Sequence, residues 1–253
     1  METQSVFDRD DAQKAVELIR AEEQIRQGRG RYIEECVSLL QGKKFLLSGG
    51  VLNVFYLCSW YFGLQNLYCM TVEQRDLVDY LSKLLLEQNI ERIRLIAACG
   101  GDAIYIDDAM SGNDMISVDA YERFCLPYMK EQVAEIHRQG KKAFVVYYGG
   151  IADRIEQIVS TGADALVMES TMKSYVNDYR EVAGQVDDRM CVLTNLNAYE
   201  EMELPEESEF RTIVRRYAAL AKKHRKYIIS TGSPVTPGTS VERLQAFIVE
   251  ARQ

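Results

Sequence analysis

The sequence predicts an α/β fold, a parallel sheet curled into a (β/α) barrel, and three observations lead to it. Short apolar runs alternate with long amphipathic stretches through most of the 253 residues. Each run is apolar on both faces, the pattern of a parallel strand buried from both sides. Every run then ends in polar or small residues: Gly49–Gly50, Asp107–Asp108, Tyr147–Gly149, Glu169–Ser170, Asn195–Asn197 and Ser230–Thr231. Polar residues at the C-terminal ends of all strands are what a (β/α) barrel uses for its site. An open flavodoxin-like sheet uses fewer of those ends.

The elements follow in order. The first 42 residues read as helix, and the first strand is expected at Lys44–Val51 (KFLLSGGV). The apolar stretch Val51–Met70 is interrupted by Asn53, Ser59, Gln65 and Asn66, which marks it as buried rather than membrane-spanning. A helix over Thr71–Ala98 rests on Leu77, Tyr80, Leu81, Leu84 and Leu85 at steps of three and four, with Thr71 as its N-cap. Strand Ala103–Asp108 leads to a helix over Val118–Gln139, capped by Ser117 and stopped by Gly140. Strands Ala143–Tyr148, Ala165–Glu169, Cys191–Asn195 and Tyr227–Thr231 then alternate with helices Ala152–Thr161, Ser174–Gly184, Glu206–His224 and Ser240–Ala251; Gly162 stops the first of these. The chain therefore reads as a single domain, 1–253, with a helical segment 1–42 and six strand–helix units over 43–253. A closed barrel has eight strands, so two are expected to be missing. Open edges would leave strands unpaired, and a homodimer covering the gap is expected.

Composition removes several function classes. Net charge is −8, with no Lys/Arg cluster set among exposed aromatics, so neither nucleic acid nor an anionic membrane is an expected partner. The N-terminus METQSVFDRDDAQ is acidic and carries no apolar signal core, which places the expected compartment in the cytoplasm. Six cysteines, Cys36, Cys58, Cys69, Cys99, Cys125 and Cys191, show no CxxC spacing and are expected as reduced thiols. Neither GxGxxG after the first strand nor GxxxxGK[ST] is present, which argues against a dinucleotide fold and a P-loop.

The candidate site is read from the strand ends. Asp107 and Asp108 close one strand, and alternation sends one inward and the other towards the helices. The pair is suited to acid–base work or to a cationic or hydroxylated ligand. Glu169 is a carboxylate at the end of an apolar strand, where an acid needs a partner; Lys173 and Arg154 are the ion-pair alternatives. Asp107, Asp108 and Glu169 are thus the catalytic candidates. Tyr147, Tyr148, Asn195, Asn197 and Ser230 are the substrate-binding candidates, supplying ring faces, hydroxyls and amides. His137 and His224 fall at polar helix ends, away from the strand ends.

Several blocks carry a family resemblance: "GGDAIYIDDAMSG", then "ISVDAYERFCLPYMKEQVAEIHRQGKKAFVVYYGG", "IVSTGADALVMES", "VLTNLNAYEEME" and "YIISTGSPVTPGTSVERLQAFIVEA". With Phe124, Leu126, Pro127 and Tyr128 matching a family "F…LPY" pattern, the chain from about Lys43 onward resembles the uroporphyrinogen decarboxylase superfamily. That superfamily includes the decarboxylase itself and methyltransferases that exchange methyl groups with corrinoid proteins. The resemblance implies a TIM-type (β/α)₈ barrel with its site at the C-terminal face of the strands, here lacking the first two strands.

The departures bear on function. Methyltransferases of this superfamily carry a zinc-binding H-x-C-G and a further Cys; here Tyr147, Gly149 and Ser230 stand at those places, so no zinc site is expected. The decarboxylase pattern R-Q-A-G-R-Y has a partial echo in "RQGRGRY", Arg26–Tyr32. It lies too close to the first strand and reads as a solvated helix end. The expected function is tetrapyrrole or corrinoid chemistry, methyltransferase-like, with no cofactor bound by a recognisable motif and any corrinoid brought by a partner protein. Uroporphyrinogen decarboxylation proper and a catalytically silent binding subunit are the alternatives.

Overall fold

A computed structural model describes residues 6–40, 42–171 and 175–253. Six parallel strands form one sheet in sequential order: β1 Leu47–Leu52, β2 Ala103–Asp108, β3 Lys142–Tyr147, β4 Ala165–Met168, β5 Cys191–Leu193 and β6 Tyr227–Ile228. All six expected strands are present, the later ones shorter than expected. The β6 line is extended by one bridge, Leu196 to Thr231. Register sets Leu52 beside Asp107 and Asp108 beside Tyr147, so the strand ends lie at one level.

The two faces of the sheet differ. Ile104, Ile106, Val145, Tyr147, Leu166, Met168 and Val192 join the main core with the helices. Ala103, Tyr105, Phe144, Ala165, Val167, Cys191 and Leu193 form a separate small cluster on the concave face. This period-two division makes the odd-numbered residues of β2, β4 and β5 concave-facing, and the even-numbered residues of β3. Among the described residues β1 and β6 are not paired with each other, and the concave face opens between them. Exposed Leu47 and Ile228 line that opening.

Helices cover the convex face. The largest is α6, Arg75–Ala98, packed on β1, β2 and on α8, Leu126–Arg138. Two expectations change here. The stretch Val118–Gln139 is two helices, α7 Val118–Phe124 and α8, broken at Cys125, because Pro127 in the first turn of α8 lacks an N–H and disfavours a continuous helix. Thr71 is not an N-cap: it lies inside α5, Leu64–Glu73, and its hydroxyl donates to the Tyr68 carbonyl at 2.6 Å. The interrupted apolar stretch forms α4, Val54–Phe62, and α5; Phe55, Leu57, Cys58 and Leu67 are buried, as that stretch predicts. Ser117 does cap α7 through the Ala120 N–H, and Gly140 and Gly162 follow their helices with positive φ.

The first 42 residues are helical where described: α1 Arg9–Ala15, α2 Ala21–Arg26 and α3 Arg31–Leu40. α1 and α2 rest on α6, and α3 lies beside β1. Helices α9 Ile155–Val159, α10 Tyr179–Val186, α11 Glu207–Ala221 and α12 Val241–Ala251 complete the layer. Ser174 and Lys173 lie outside the described residues; α10 is capped by Asp178, which accepts from the Arg180 N–H at 2.8 Å. No described helix is long and apolar enough to cross a membrane.

Candidate functional site at the strand ends

Alternation carries Asp107, Tyr148, Glu169, Asn195 and Ser230 onto the concave face, one from each of five consecutive strands or the residues just beyond them. Asp107 sits above Tyr105 on this face. One of its carboxylate oxygens is buried without a hydrogen-bond partner. Burial raises its pKa to about 6. Burial also raises the Tyr148 hydroxyl, and the nearby carboxylates of Asp107 and Glu169 push it further, so these three groups share one patch.

Glu169 is held in place by neutral donors, and no cation pairs with it among the described residues, which do not include Lys173. Its Oε2 accepts from the Gly149 N–H at 3.0 Å and from the Tyr175 hydroxyl. Its backbone carbonyl accepts from Asn177 Nδ2 at 3.0 Å and from Asn195 Nδ2 at 3.3 Å, and Asn195 also donates to the Asn177 carbonyl at 2.7 Å. Gly149 has φ +106, and a Cβ there would stand 3.0 Å from Gly112 Cα; the loops after β2 and β3 meet at two glycines because nothing larger fits.

Asp108, Tyr147 and Asn197 lie away from these groups. Asp108 is almost fully buried behind the sheet, where Ser111 Oγ donates to one oxygen and the Tyr121 hydroxyl reaches the other at 3.4 Å. Burial raises its pKa to about 6, against the lowering effect of the Ser111 and Asn53 hydrogen bonds. Tyr147 is turned the same way, and its hydroxyl donates to the Ser111 carbonyl at 2.8 Å. Asn197 lies in the loop after β5, its side-chain oxygen accepting from Tyr199 N and Glu200 N as an Asx turn. With Asn195, Ser170, Asn177, Tyr179 and Tyr217 it lines a cavity of about 450 Å³. The Ser230 hydroxyl donates to the Thr231 carbonyl at 3.0 Å. His137 bonds Asp164 at 2.8 Å and His224 stands edge-on to Tyr179, both away from the strand-end acids.

Three residues hold this region, and one of them, Arg154, expected as an ion-pair partner of Glu169, pairs with Asp153 instead. Arg154 is fully buried, donates to the carbonyls of Ser111 and Ile116, pairs with Asp153 at 2.8 Å and lies over the Tyr121 ring at 5.3 Å. Its guanidinium ties the loop after β2 to the loop after β3. Tyr175 and Asn177 come from the loop after β4. An isolated Arg, Tyr or Asn in a connecting segment has no periodicity, so only the folded chain shows what it touches.

The arrangement defines a class: a parallel (β/α)-barrel protein with carboxyl groups, a tyrosine and amides at the C-terminal mouth of its strands. The comparisons give the family. Residues 3–253 match the uroporphyrinogen decarboxylase (URO-D) family, and the chain belongs to it. It is 28% identical over 182 residues to the uroporphyrinogen decarboxylase of Myxococcus xanthus, covering 71% of this chain and 48% of that protein. It is 24% identical over 191 residues to that of Prochlorococcus marinus strain MIT 9312, covering 73% and 51%. The chain thus spans about half the length of the curated relatives it matches. A methyltransferase from Methanosarcina mazei has a similar structure, with TM-score 0.75 and 14% identity over 88% of this chain and 63% of that one. At that identity the likeness concerns the fold. It supports the TIM-type barrel architecture, of which six strands are present among the described residues.

Zinc does not fit the donor set. At the places of the zinc ligands in the superfamily's methyltransferases stand Tyr147, whose hydroxyl is spent behind the sheet, Gly149, without a side chain, and Ser230, bonded to the Thr231 carbonyl. No group of three or more His, Cys, Asp or Glu among the described residues is placed to hold a metal.

Proposed function

We propose that the chain binds a tetrapyrrole- or corrinoid-class ligand at the concave mouth and performs proton transfer there, with Asp107 as the acid. The observation that carries this reading is Asp107 itself. A carboxyl on the concave face with pKa about 6 is present in both protonation states near neutral pH, which is what a general acid–base group requires. Glu169, oriented by Gly149 and Tyr175, is a fixed acceptor for a ligand N–H or O–H. Tyr148 offers a hydroxyl and a ring face beside both acids. The names of the curated sequence relatives point to decarboxylation of a porphyrinogen, a reaction that ends in protonation of carbon. Among the described residues no group of three or more His, Cys, Asp or Glu is placed to hold a zinc ion for methyl transfer, which favours the proton-transfer reading.

A second reading is a catalytically silent binding subunit. The opening between β1 and β6 favours it, since a site open on one side is poorly shielded from water.

The test is calorimetric titration of the wild-type protein and Asp107→Asn with uroporphyrinogen and, separately, with cobalamin, followed by product analysis. The proposal expects binding of one of the two, and product formation that falls at least about 100-fold in Asp107→Asn, the lower range for loss of a general acid. Binding without turnover in the wild type selects the silent-subunit reading. Absence of binding to both overturns the ligand class.

A further inference from the structure

The edge of β1 borders a second cavity, of about 430 Å³, that the strand-end acids do not reach. Its walls come from four parts of the chain. Gly50 and Leu52 supply the edge of the sheet, with Tyr105 packed against Gly50. Tyr56 and Trp60 come from α4, their rings edge-to-face with centroids 6.4 Å apart. Arg92 comes from α6, and Arg29 from the turn between α2 and α3.

The two arginines are set apart by their lack of partners. Neither forms a hydrogen bond through its side chain, an ion pair or a ring contact among the described residues. Their neighbours are tied down: Arg20 and Arg94 both hold Glu91, at 3.0 and 2.7 Å, and Arg26 holds Glu23. Glu17 is the single carboxylate in the lining, against two guanidiniums. The lining amides are already engaged: Gln24 donates to the Ile19 carbonyl, Gln88 to that of Glu17 and Asn89 to that of Leu52.

Arg29 is also presented by a rigid turn. Gly28 and Gly30 flank it with φ +76 and +101, the Arg29 N–H bonds the Gln24 carbonyl at 3.0 Å, and the Gly28 N–H bonds the Ile25 carbonyl at 2.9 Å. A guanidinium without a counter-ion presents a planar fork matched to carboxylate or phosphate oxygens. A half-exposed indole beside it offers a flat apolar face.

We infer that this edge cavity is a binding site for an organic anion, a carboxylate or phosphate carried on a flat apolar body, with Arg29 and Arg92 on the anionic group and Trp60 and Tyr56 against the body. It is separate from the proposed acid–base site and stands whether or not that reading holds, because none of its residues is a strand-end acid.

Trp60 is the single tryptophan of the chain, so its emission reports on this cavity alone. The experiment follows Trp60 fluorescence and calorimetric heat while benzoate, phenyl phosphate and neutral benzamide are titrated into the whole chain. The variants are Arg29→Met, Arg92→Met and the double variant. Both residues are exposed and neither side chain forms a hydrogen bond, ion pair or ring contact among the described residues, so these substitutions leave the fold intact; an unchanged melting temperature checks this. The expected result is saturable binding of benzoate or phenyl phosphate, weakened about tenfold by each single variant, lost in the double variant and weakened by added salt. The stronger of the two ligands identifies carboxylate or phosphate as the source. Binding of benzamide as tight as that of the anions, binding unchanged in the double variant, or no change with either anion up to about 10 mM, the weak end of small-ligand affinity, each overturns the inference. Asp107→Asn is expected to leave this binding unchanged, which separates failure here from failure of the acid–base reading.

Discussion

Asp107 and Asp108 are neighbours in the chain that face opposite sides of the sheet. Asp107 stands on the concave face beside Tyr148 and Glu169, while Asp108 is buried among Ser111, Tyr121 and Tyr147. Their two asparagine variants are therefore expected to separate. Asp107→Asn lowers ligand turnover and, because it removes a half-buried charge with an unpartnered oxygen, raises the melting temperature at pH 7 while leaving it nearly unchanged near pH 4. Asp108→Asn alters stability and leaves ligand affinity within about twofold. Thermal unfolding together with titration of the ligand identified for the mouth checks both.

Both aspartates also set a pH dependence. Their folded pKa values, about 6, exceed the unfolded value of about 3.9, so the folded state binds more protons between those limits. Each group therefore contributes stability that is complete below about pH 4 and is lost as pH rises through 6. Urea midpoints of the wild type should rise from pH 7 to pH 5, and this rise should shrink in Asp107→Asn and again in Asp108→Asn. Equal slopes in all three proteins would contradict the burial argument.

The reverse sign holds for the ion-paired acids. Glu91, Glu135 and Asp164 have lowered pKa values; burial opposes the lowering in each, and the hydrogen bonds from Ala21, Arg94, Arg138 and Lys142 outweigh it. They contribute stability above the ordinary carboxylate range that disappears as pH falls below it. Circular dichroism should therefore show a maximum of stability near pH 5, with loss on both sides.

Arg154→Met is expected to cost about 3 kcal/mol in urea unfolding, because it leaves the Ser111 and Ile116 carbonyls and Asp153 without their donor. Arg154→Lys should recover only part of this, since a single ammonium cannot span the three acceptors that the guanidinium reaches. Hydrogen exchange should speed up in the loop after β2 in both variants.

Gly232→Ala tests the support beneath Asn195. A Cβ at Gly232 would stand 2.6 Å from Ser170 N and 3.0 Å from Asn195 Cβ. Backbone must move to accept it, with an expected loss of about 1–3 kcal/mol and weaker ligand binding at the mouth.

Much of this was legible in the sequence for a physical reason. Strands such as Ala103–Asp108 and Ala143–Tyr148 are apolar on both faces, and helix α6 repeats its apolar residues at three and four, so local pattern alone locates the six strand–helix units. The break at Cys125 was signalled by Pro127 but masked by the apolar periodicity that continues through it. Thr71 has the chemistry of a cap, yet α5 runs past it to Glu73, so the boundary at Gln74 leaves no local mark in the sequence.

The sequence by itself determined that six parallel strands end in acids, tyrosines and amides, and that one aspartate of the pair must face inward. Which one faces inward was decided by the register of β2 against β1 and β3 and by the curvature of the sheet, neither of which is a local property. The same holds for Tyr147 and Tyr148, which one residue separates into core and mouth. The anchoring of Glu169 by Tyr175 and Gly149, the clamp of Arg154 on the loop after β2, and the lining of one cavity by Arg29, Trp60 and Arg92 at the edge of β1 bring together residues 6 to 63 positions apart. Such contacts exist only once the helices have packed against the sheet, and local pattern carries no record of them.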